Sequence, residues 1–136
     1  MTDLVLLAAG LGTRLASLGA DVPKVLLMLP SGRTMLGENV HNALDTGAVA
    51  RAVIVTGHRA DLVDAEVEVH EHATGILTIR NPDYATHGPI RSVWAARAIL
   101  AAGDFLLGNG DTYYRADAFH ALTDQRGAGV YLGYST

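Results

Sequence analysis

The chain has 136 residues, enough for one domain with a real hydrophobic core, and its composition is that of an ordinary globular protein. It contains no cysteine, which excludes a disulfide framework and a thiolate metal centre, and its formal charge of −4 argues against a nucleic-acid surface. The N-terminal apolar run is short and has no basic residue ahead of it, so neither a signal peptide nor a membrane span is expected and the cytoplasm is the expected compartment.

Taken in order, Asp3 to Ala8 reads as a strand buried on both faces, because its apolar residues run on without alternating. Ala9 to Thr13 is a glycine turn, and Arg14 to Leu18 a short helix ended near Gly19. Lys24 to Leu29, behind Pro23, reads as a strand or as an extended segment under the sheet, and Pro30-Ser31-Gly32 as a turn. From Thr34 a helix is expected, with Met35, Leu36, Val40, Ala43 and Leu44 on one face and Gly47 as its stop. Ala52 to Val55 is a second buried strand, and Gly57 turns it into a helix near His58 to Ala65. Glu66 to His72 alternates weakly, and Gly75 to Ile79 is a short strand ending at Arg80-Asn81-Pro82. Asp83 to Pro89 reads as a loop, with Pro89 suited to the first turn of a helix. Ile90, Val93, Trp94, Ala98 and Ala101 keep helical spacing to Ala102, and Gly103 closes that helix. Asp104 to Leu107 is another buried strand, running into Gly108-Asn109-Gly110-Asp111. Ala116 to Thr123 reads as a helix and Val130 to Tyr134 as a strand.

Strand alternating with helix over the whole length predicts a parallel sheet with helices on both faces. Ligands of such sheets bind outside the carboxyl ends of the strands. Gly10 to Arg14, Gly57-His58 and Gly110-Asp111 all follow strand ends, which places them on one rim.

The glycine turn lacks the Gly-Lys-Ser/Thr ending of a P-loop. It is also a poor dinucleotide fingerprint, since Leu15 stands where the third glycine belongs and Thr56-Gly57-His58 offers no acid after the second strand. What remains is a set of unobstructed backbone N–H groups with the Arg14 guanidinium, which suits the oxygens of a triphosphate. Lys24 lies between Pro23 and an apolar run, a setting not chosen for solubility. Asp111 is either a turn residue or a carboxylate placed to hold Mg²⁺ on a polyphosphate.

Other side chains have an ordinary reading beside a functional one. His70 and His72 fall on one face of a strand, as a metal pair without a third ligand or as a solvated edge. His58 either lines the rim or starts a helix, and Trp94 is placed in the core ahead of a base-stacking role. Tyr113 and Tyr114 either flank an acceptor or pack after the turn, and Asn81 is assigned to its own turn rather than to a ligand.

Leu7-Ala8-Ala9-Gly10-Leu11-Gly12-Thr13-Arg14-Leu15 with Pro23-Lys24 resembles the signature of nucleotidyltransferases that make sugar-nucleotides and CDP-alcohols. The ten-residue step from Arg14 to Lys24 is that of the sugar-1-phosphate and phosphocholine group, and Gly110-Asp111 falls where that group carries its first metal aspartate. Asn81-Pro82 with Tyr84, then Ser92-Val93-Trp94 with Ala96-Arg97, looks most like phosphocholine cytidylyltransferases of the bacterial type. His87-Gly88-Pro89-Ile90-Arg91 departs from that type's loop, and Arg91 is read as meeting an anionic acceptor group instead.

The resemblance implies an α/β fold, a three-layer α/β/α Rossmann-like and mostly parallel sheet of the nucleotide-diphospho-sugar transferase type. It implies one nucleotidyltransferase domain over residues 1–136, the N-terminal part of a longer family pattern whose later portion carries a second acidic metal ligand. The implied nucleotide-binding residues are Leu7, Ala8, Ala9, Gly10, Gly12, Thr13, Arg14 and Lys24, with Arg14 and Lys24 catalytic and Asp111 holding Mg²⁺. The implied partners are an NTP and a phosphorylated small-molecule acceptor, a sugar 1-phosphate or a phosphocholine-like compound, with no nucleic acid and no membrane. A non-catalytic nucleotide-binding or regulatory domain is the alternative, and a dinucleotide-dependent oxidoreductase is a third reading that Leu15 counts against.

Overall fold

The computed structural model describes residues 2–10, 22–100, 103–125 and 129–130. The expected helix at Arg14 to Leu18 and most of the expected strand at Val130 to Tyr134 lie outside the described residues.

The fold is built on β1 (Asp3–Ala8), which has a partner on each side. β2 (Arg51–Thr56) pairs with one edge and β4 (Phe105–Asn109) with the other, while β3 (Ile76–Arg80) lies beyond β2, giving the order β3-β2-β1-β4. Every pairing is parallel, with Asp3 opposite both Arg51 and Phe105, so the carboxyl ends fall on one rim. Flanking that register, the Arg51 guanidinium donates to the Asp3 carboxylate at 2.6 Å.

The helices are α1 (Met35–Leu44), α2 (Ala60–Glu68), α3 (Pro89–Ala95), α4 (Arg97–Leu100) and α5 (Ala116–Thr123). Alternate residues of β1 and β2 feed two separate cores. Leu4, Leu6, Ala8, Ala52 and Ile54 pack with Leu36, Val40 and Ala43 of α1, Val63 of α2 and Phe119 of α5. Val5, Val53 and Val55 point the other way, against Ala95 and Ala96 at the end of α3 and Ile99 and Leu100 of α4. Both faces of the inner strands are thus covered, which is why their sequences do not alternate. The result is a three-layer α/β/α sheet of Rossmann-like type, as expected.

The chain moves outward from β1 to β2 and β3, then returns to place β4 on the other side of β1. The crossovers through α1 and α2 pack on one face and the crossover through α3 and α4 on the other. The strand order therefore reverses between β1 and β4, and in parallel sheets ligands bind outside the carboxyl ends of the strands at such a switch point.

Several local expectations are met. The helix expected from Thr34 is α1, and the structure adds that the Thr34 hydroxyl caps it, accepting from Gly37 N at 2.9 Å and donating to Glu66 Oε1 at 2.7 Å. Gly47 N donates to Leu44 O just beyond the helix end. Pro89 occupies the first turn of α3, and α5 spans Ala116–Thr123 as read from the sequence.

Other expectations are corrected. Lys24 to Leu29 adds no strand to the sheet: Lys24–Leu26 is a single 3-10 turn, followed by an isolated antiparallel bridge from Met28 to Thr34. Both edges of β1 are already paired, and Pro23, at φ −56° and ψ 141°, leads into a turn closed by Leu26 N donating to Pro23 O. Glu66 to Glu68 finish α2, and His70 and His72 follow in turns and so share no strand face. The helix expected from Pro89 to Ala102 breaks at Ala96, at φ −90° and ψ 0°. There the Arg97 guanidinium donates to Trp94 O at 2.9 Å, taking a carbonyl that a continuous helix would use. Trp94 is not in the core: it is 55% exposed, with the Arg97 guanidinium 4.5 Å above its ring.

Among the described residues, no helix is long and apolar enough to cross a membrane.

Candidate functional site at the carboxyl rim

The residues at the switch point are brought together by backbone packing. Gly110 follows β4, and its N–H donates to Leu7 O at 2.9 Å. A Cβ at Gly110 would stand 2.7 Å from Val25 Cγ1 and 2.8 Å from Leu7 O. The absent side chain is therefore what lets the 3-10 turn sit on the end of β4. Val25 is buried in the core, and its two neighbours in this contact carry the polar chemistry. Lys24 precedes Val25, Asp111 follows Gly110, and Lys24 Nζ lies 3.9 Å from Asp111 Oδ2. The Lys24 side chain is 36% exposed and that of Asp111 is 46% exposed, so both open to solvent at the rim.

Of the nucleotide-binding residues expected from the sequence, Leu7 is half-buried at the end of β1, and Ala8 and Ala9 are buried. Gly10 is exposed, with open space where a Cβ would be. Gly12, Thr13 and Arg14 lie outside the described residues.

The β2 end closes on the same point. His58 N donates to Ala9 O at 3.3 Å. A Cβ at Gly57 would meet the Tyr84 side chain at 2.6 Å and Ala9 O at 2.9 Å, so the loop after β3 covers this turn. His58 and Tyr84 have ring centroids 6.2 Å apart beside it. α2 starts later than expected, at Ala60, because Arg59 adopts a left-handed conformation at φ 50°. The Arg59 guanidinium donates to the Asp61 carboxylate at 3.2 Å, and that bond holds the Asp61 carboxyl below its ordinary value.

Asn81 has the turn role assigned to it. It is buried, its Oδ1 accepts from Asp83 N at 2.9 Å, and its Nδ2 donates to Ser92 Oγ at 3.0 Å. The Asn81 to Ser92 spacing is thus a tie between the post-β3 loop and α3. Arg91 of α3 pairs with Asp83 of that loop, Nε to Oδ2 at 3.0 Å.

One set of positioning residues escaped the sequence reading. Asn39 is fully buried on α1, and its Nδ2 donates to Thr112 O at 2.7 Å while its Oδ1 accepts from Tyr114 N at 2.9 Å. Asn42 Nδ2 donates to Tyr114 O at 2.9 Å, and Tyr114 Oη accepts from Asn109 N at 3.0 Å. The loop carrying Asp111 is therefore clamped from both sides of the metal-binding candidate. The signal was present: Asn39 falls on the stripe of Leu36, Val40 and Ala43, where an amide is out of place unless it serves a buried backbone. Tyr114 packs on Phe119 at 5.9 Å between ring centroids, while Tyr113 is exposed.

Chemically, the rim offers a cation and a carboxylate side by side, and a glycine end with open space. Comparison with known proteins identifies the family. Residues 4–134 match the MobA-like NTP transferase domain. The chain is 34% identical over 102 residues to 2-aminoethylphosphonate cytidylyltransferase of Lancefieldella rimae, covering 75% of this chain and 39% of that protein. It is 35% identical over 126 residues to the bifunctional protein GlmU of Methylibium petroleiphilum, covering 91% of this chain and 26% of that one. Among solved structures, HddC from Yersinia pseudotuberculosis complexed with GMP-PN superposes with a TM-score of 0.69 at 31% identity, over 83% of this chain and 49% of HddC. This chain thus spans well under half the length of the curated relatives it matches. With a parallel sheet whose switch point brings Lys24 and Asp111 together, and a match over nearly all of its residues, the chain belongs to the MobA-like NTP transferase family.

Proposed function

We propose that this chain performs Mg²⁺-dependent nucleotidyl transfer from an NTP to a phosphate monoester, such as a sugar 1-phosphate or a phosphocholine-like compound, with release of pyrophosphate. The observation that carries the reading is the pairing of Lys24 with Asp111 at 3.9 Å across the β1/β4 switch point. The first relative's name supports CTP as the nucleotide and a phosphonate as a further acceptor class to test.

In this reading an acceptor oxygen attacks the α-phosphorus of the NTP. The new O–P bond forms as the bond to the β-phosphate oxygen breaks, and pyrophosphate leaves with the electron pair. The acceptor is already anionic near neutral pH, so no general base is required, and the chain's work is positioning and charge neutralisation. Leu7, Ala8, Ala9 and Gly10 lie beneath the nucleotide. The N–H groups of Gly10, Gly12 and Thr13, with the Arg14 guanidinium, hold the β- and γ-phosphates. Lys24 neutralises charge on the α-phosphate or the incoming phosphate.

Asp111 suits Mg²⁺: it offers hard carboxylate oxygens, half open to solvent, on a loop fixed by Asn39. When bound there, Mg²⁺ supplies charge neutralisation on the triphosphate. The test is to incubate the protein with each NTP, Mg²⁺ and a panel of phosphate monoesters and aminoalkylphosphonates, and to measure pyrophosphate. Acceptor-dependent pyrophosphate is expected. Thermal stabilisation by an NTP with no pyrophosphate from any acceptor assigns a nucleotide-binding role instead.

A further inference from the structure

A second cluster of metal-ligating side chains lies away from the rim, where β2 and β3 begin. His41 is in the last turn of α1 and Asp45 is its C-cap, so the i, i+4 spacing lays both on one face. His72 precedes the 3-10 turn Ala73–Gly75 that leads into β3, and it closes on that face from across the fold. One ring nitrogen each of His41 and His72 and one carboxylate oxygen of Asp45 lie within 4.8 Å of one another. His72 Nε2 is 3.7 Å from Asp45 Oδ1.

Two further observations point to a ligand. His72 Nε2 is shielded from solvent and has no hydrogen-bond partner among the described residues, although buried polar atoms normally find one. The surroundings also hold the donors in place. His41 Nδ1 lies 2.8 Å from Glu71 Oε1, the carboxylate–histidine contact that orients imidazoles in metal sites. Glu71 is held in turn by Arg33 Nη1 at 2.6 Å. His70 is not a ligand, because both of its nitrogens are used. Its Nδ1 accepts from His72 N at 3.0 Å and its Nε2 donates to Gly37 O at 3.0 Å. His70 thus straps the His72 backbone to α1.

We propose that His41, Asp45 and His72 bind a divalent transition-metal ion of the zinc class. Two imidazoles with one carboxylate is a borderline donor set that suits Zn²⁺ and its neighbours and disfavours Mg²⁺ and Ca²⁺. With bonds of about 2.0–2.2 Å, tetrahedral ligands sit roughly 3.3 Å apart, so ligand atoms that lie within 4.8 Å of one another draw slightly closer when the ion binds. Three protein ligands leave one position for water. The ion ties the end of α1 to the connection between α2 and β3, a link between distant parts of the chain, and so stabilises the folded state by mass action. This site is independent of the rim and uses a different class of metal.

The experiment uses the whole chain after chelator treatment, with Zn²⁺ and Mg²⁺ as separate probes and Co²⁺ as a spectroscopic one. Zn²⁺ at micromolar concentration is expected to raise the melting temperature, Mg²⁺ at the same concentration to leave it unchanged, and Co²⁺ to give the visible bands of a four-coordinate nitrogen–oxygen site. His72→Ala is expected to abolish the Zn²⁺ effect, and Glu71→Gln to weaken Zn²⁺ affinity by about 10- to 100-fold while the metal-free melting temperature holds. An equal Zn²⁺ effect in wild type and His72→Ala overturns the proposal, as does the absence of any Zn²⁺ effect in wild type. If His72→Ala does not fold, the wild-type Co²⁺ spectrum decides: four-coordinate bands support the site, and a spectrum of the hexaaqua ion overturns it.

Discussion

Lys24 and Asp111 face each other across 3.9 Å because Val25 packs on Gly110, so the contact is set by the core and not by the charges themselves. Both side chains are substantially exposed, and an ion pair of that kind contributes under about 1 kcal/mol to stability. Its role is therefore expected in turnover. Lys24→Ala should raise the barrier to nucleotidyl transfer by about 2–4 kcal/mol, as for loss of one preorganised donor. Urea unfolding should move by less than about 1 kcal/mol. A Lys24→Ala protein with wild-type turnover removes Lys24 from the mechanism.

Asp111→Asn should act on the metal. The Mg²⁺ concentration giving half-maximal pyrophosphate release should rise, while the melting temperature stays near wild type. Because Lys24 and Asp111 are in contact, the double variant should lose less than the sum of the two single losses. A Mg²⁺ titration that superposes on wild type counts against Asp111 as ligand.

Asn39 gives a sharper test of how the rim is held. Asn39→Leu leaves Thr112 O and Tyr114 N without the amide, and an orphaned buried group costs about 1–3 kcal/mol. Asn39→Asp keeps an acceptor for Tyr114 N but loses the donor to Thr112 O and brings a charge into a fully buried site. It should be the more destabilising of the two at neutral pH by chemical unfolding. Either variant should also weaken Mg²⁺ dependence, because the Asp111 loop loses its clamp.

Gly57→Ala tests the packing on the other side of the rim. The added Cβ meets Tyr84 at 2.6 Å and Ala9 O at 2.9 Å, and the carbonyl cannot move without shifting the end of β1. A loss of about 1–3 kcal/mol is expected, in the range of overpacked interiors. Denaturant unfolding measures it directly, and a neutral result would mean that the post-β3 loop yields freely.

Trp94 is the only tryptophan, so its fluorescence reports one position. At 55% exposure it should emit at the wavelengths of a solvated indole and be quenched readily by acrylamide. Trp94→Ala should change stability by no more than about 1 kcal/mol, against the several expected for a core tryptophan.

What could be read from the sequence was what local chemistry decides. The apolar run of β1, the helix beginning at Thr34 and the limits of α5 depend on neighbouring residues, and they match the structure. The placing of Gly10, Gly57 and Gly110 on one rim also followed, because parallel strands put their carboxyl ends on one side, whereas the approach of Lys24 comes from the packing of Val25 on Gly110. Of the two readings of Lys24 to Leu29 the strand fails, because Leu26 N and Leu27 N donate back to Pro23 O and Lys24 O and close a 3-10 turn. The other misreadings arose where more distant groups decide. Trp94 keeps helical spacing, yet Arg97 ends the helix and holds the indole outside. His72 was paired with His70 by alternation, whereas the fold turns it toward His41 and Asp45 on another helix. Asn39 was passed over because its two partners are more than 70 positions away.

The central place of β1 has a consequence for synthesis on the ribosome. β1 emerges before the other three strands of this sheet and gains β2 early, but its other edge waits for Phe105–Asn109. During that interval its open N–H and C=O groups, set among buried-type side chains, can pair with another nascent chain. Asp111 comes two residues after β4 ends, so the strand that seals this edge also delivers the carboxylate to Lys24. Protection from aggregation and assembly of the Lys24–Asp111 rim are thus a single late event, and a chain stalled before Phe105 would lack both.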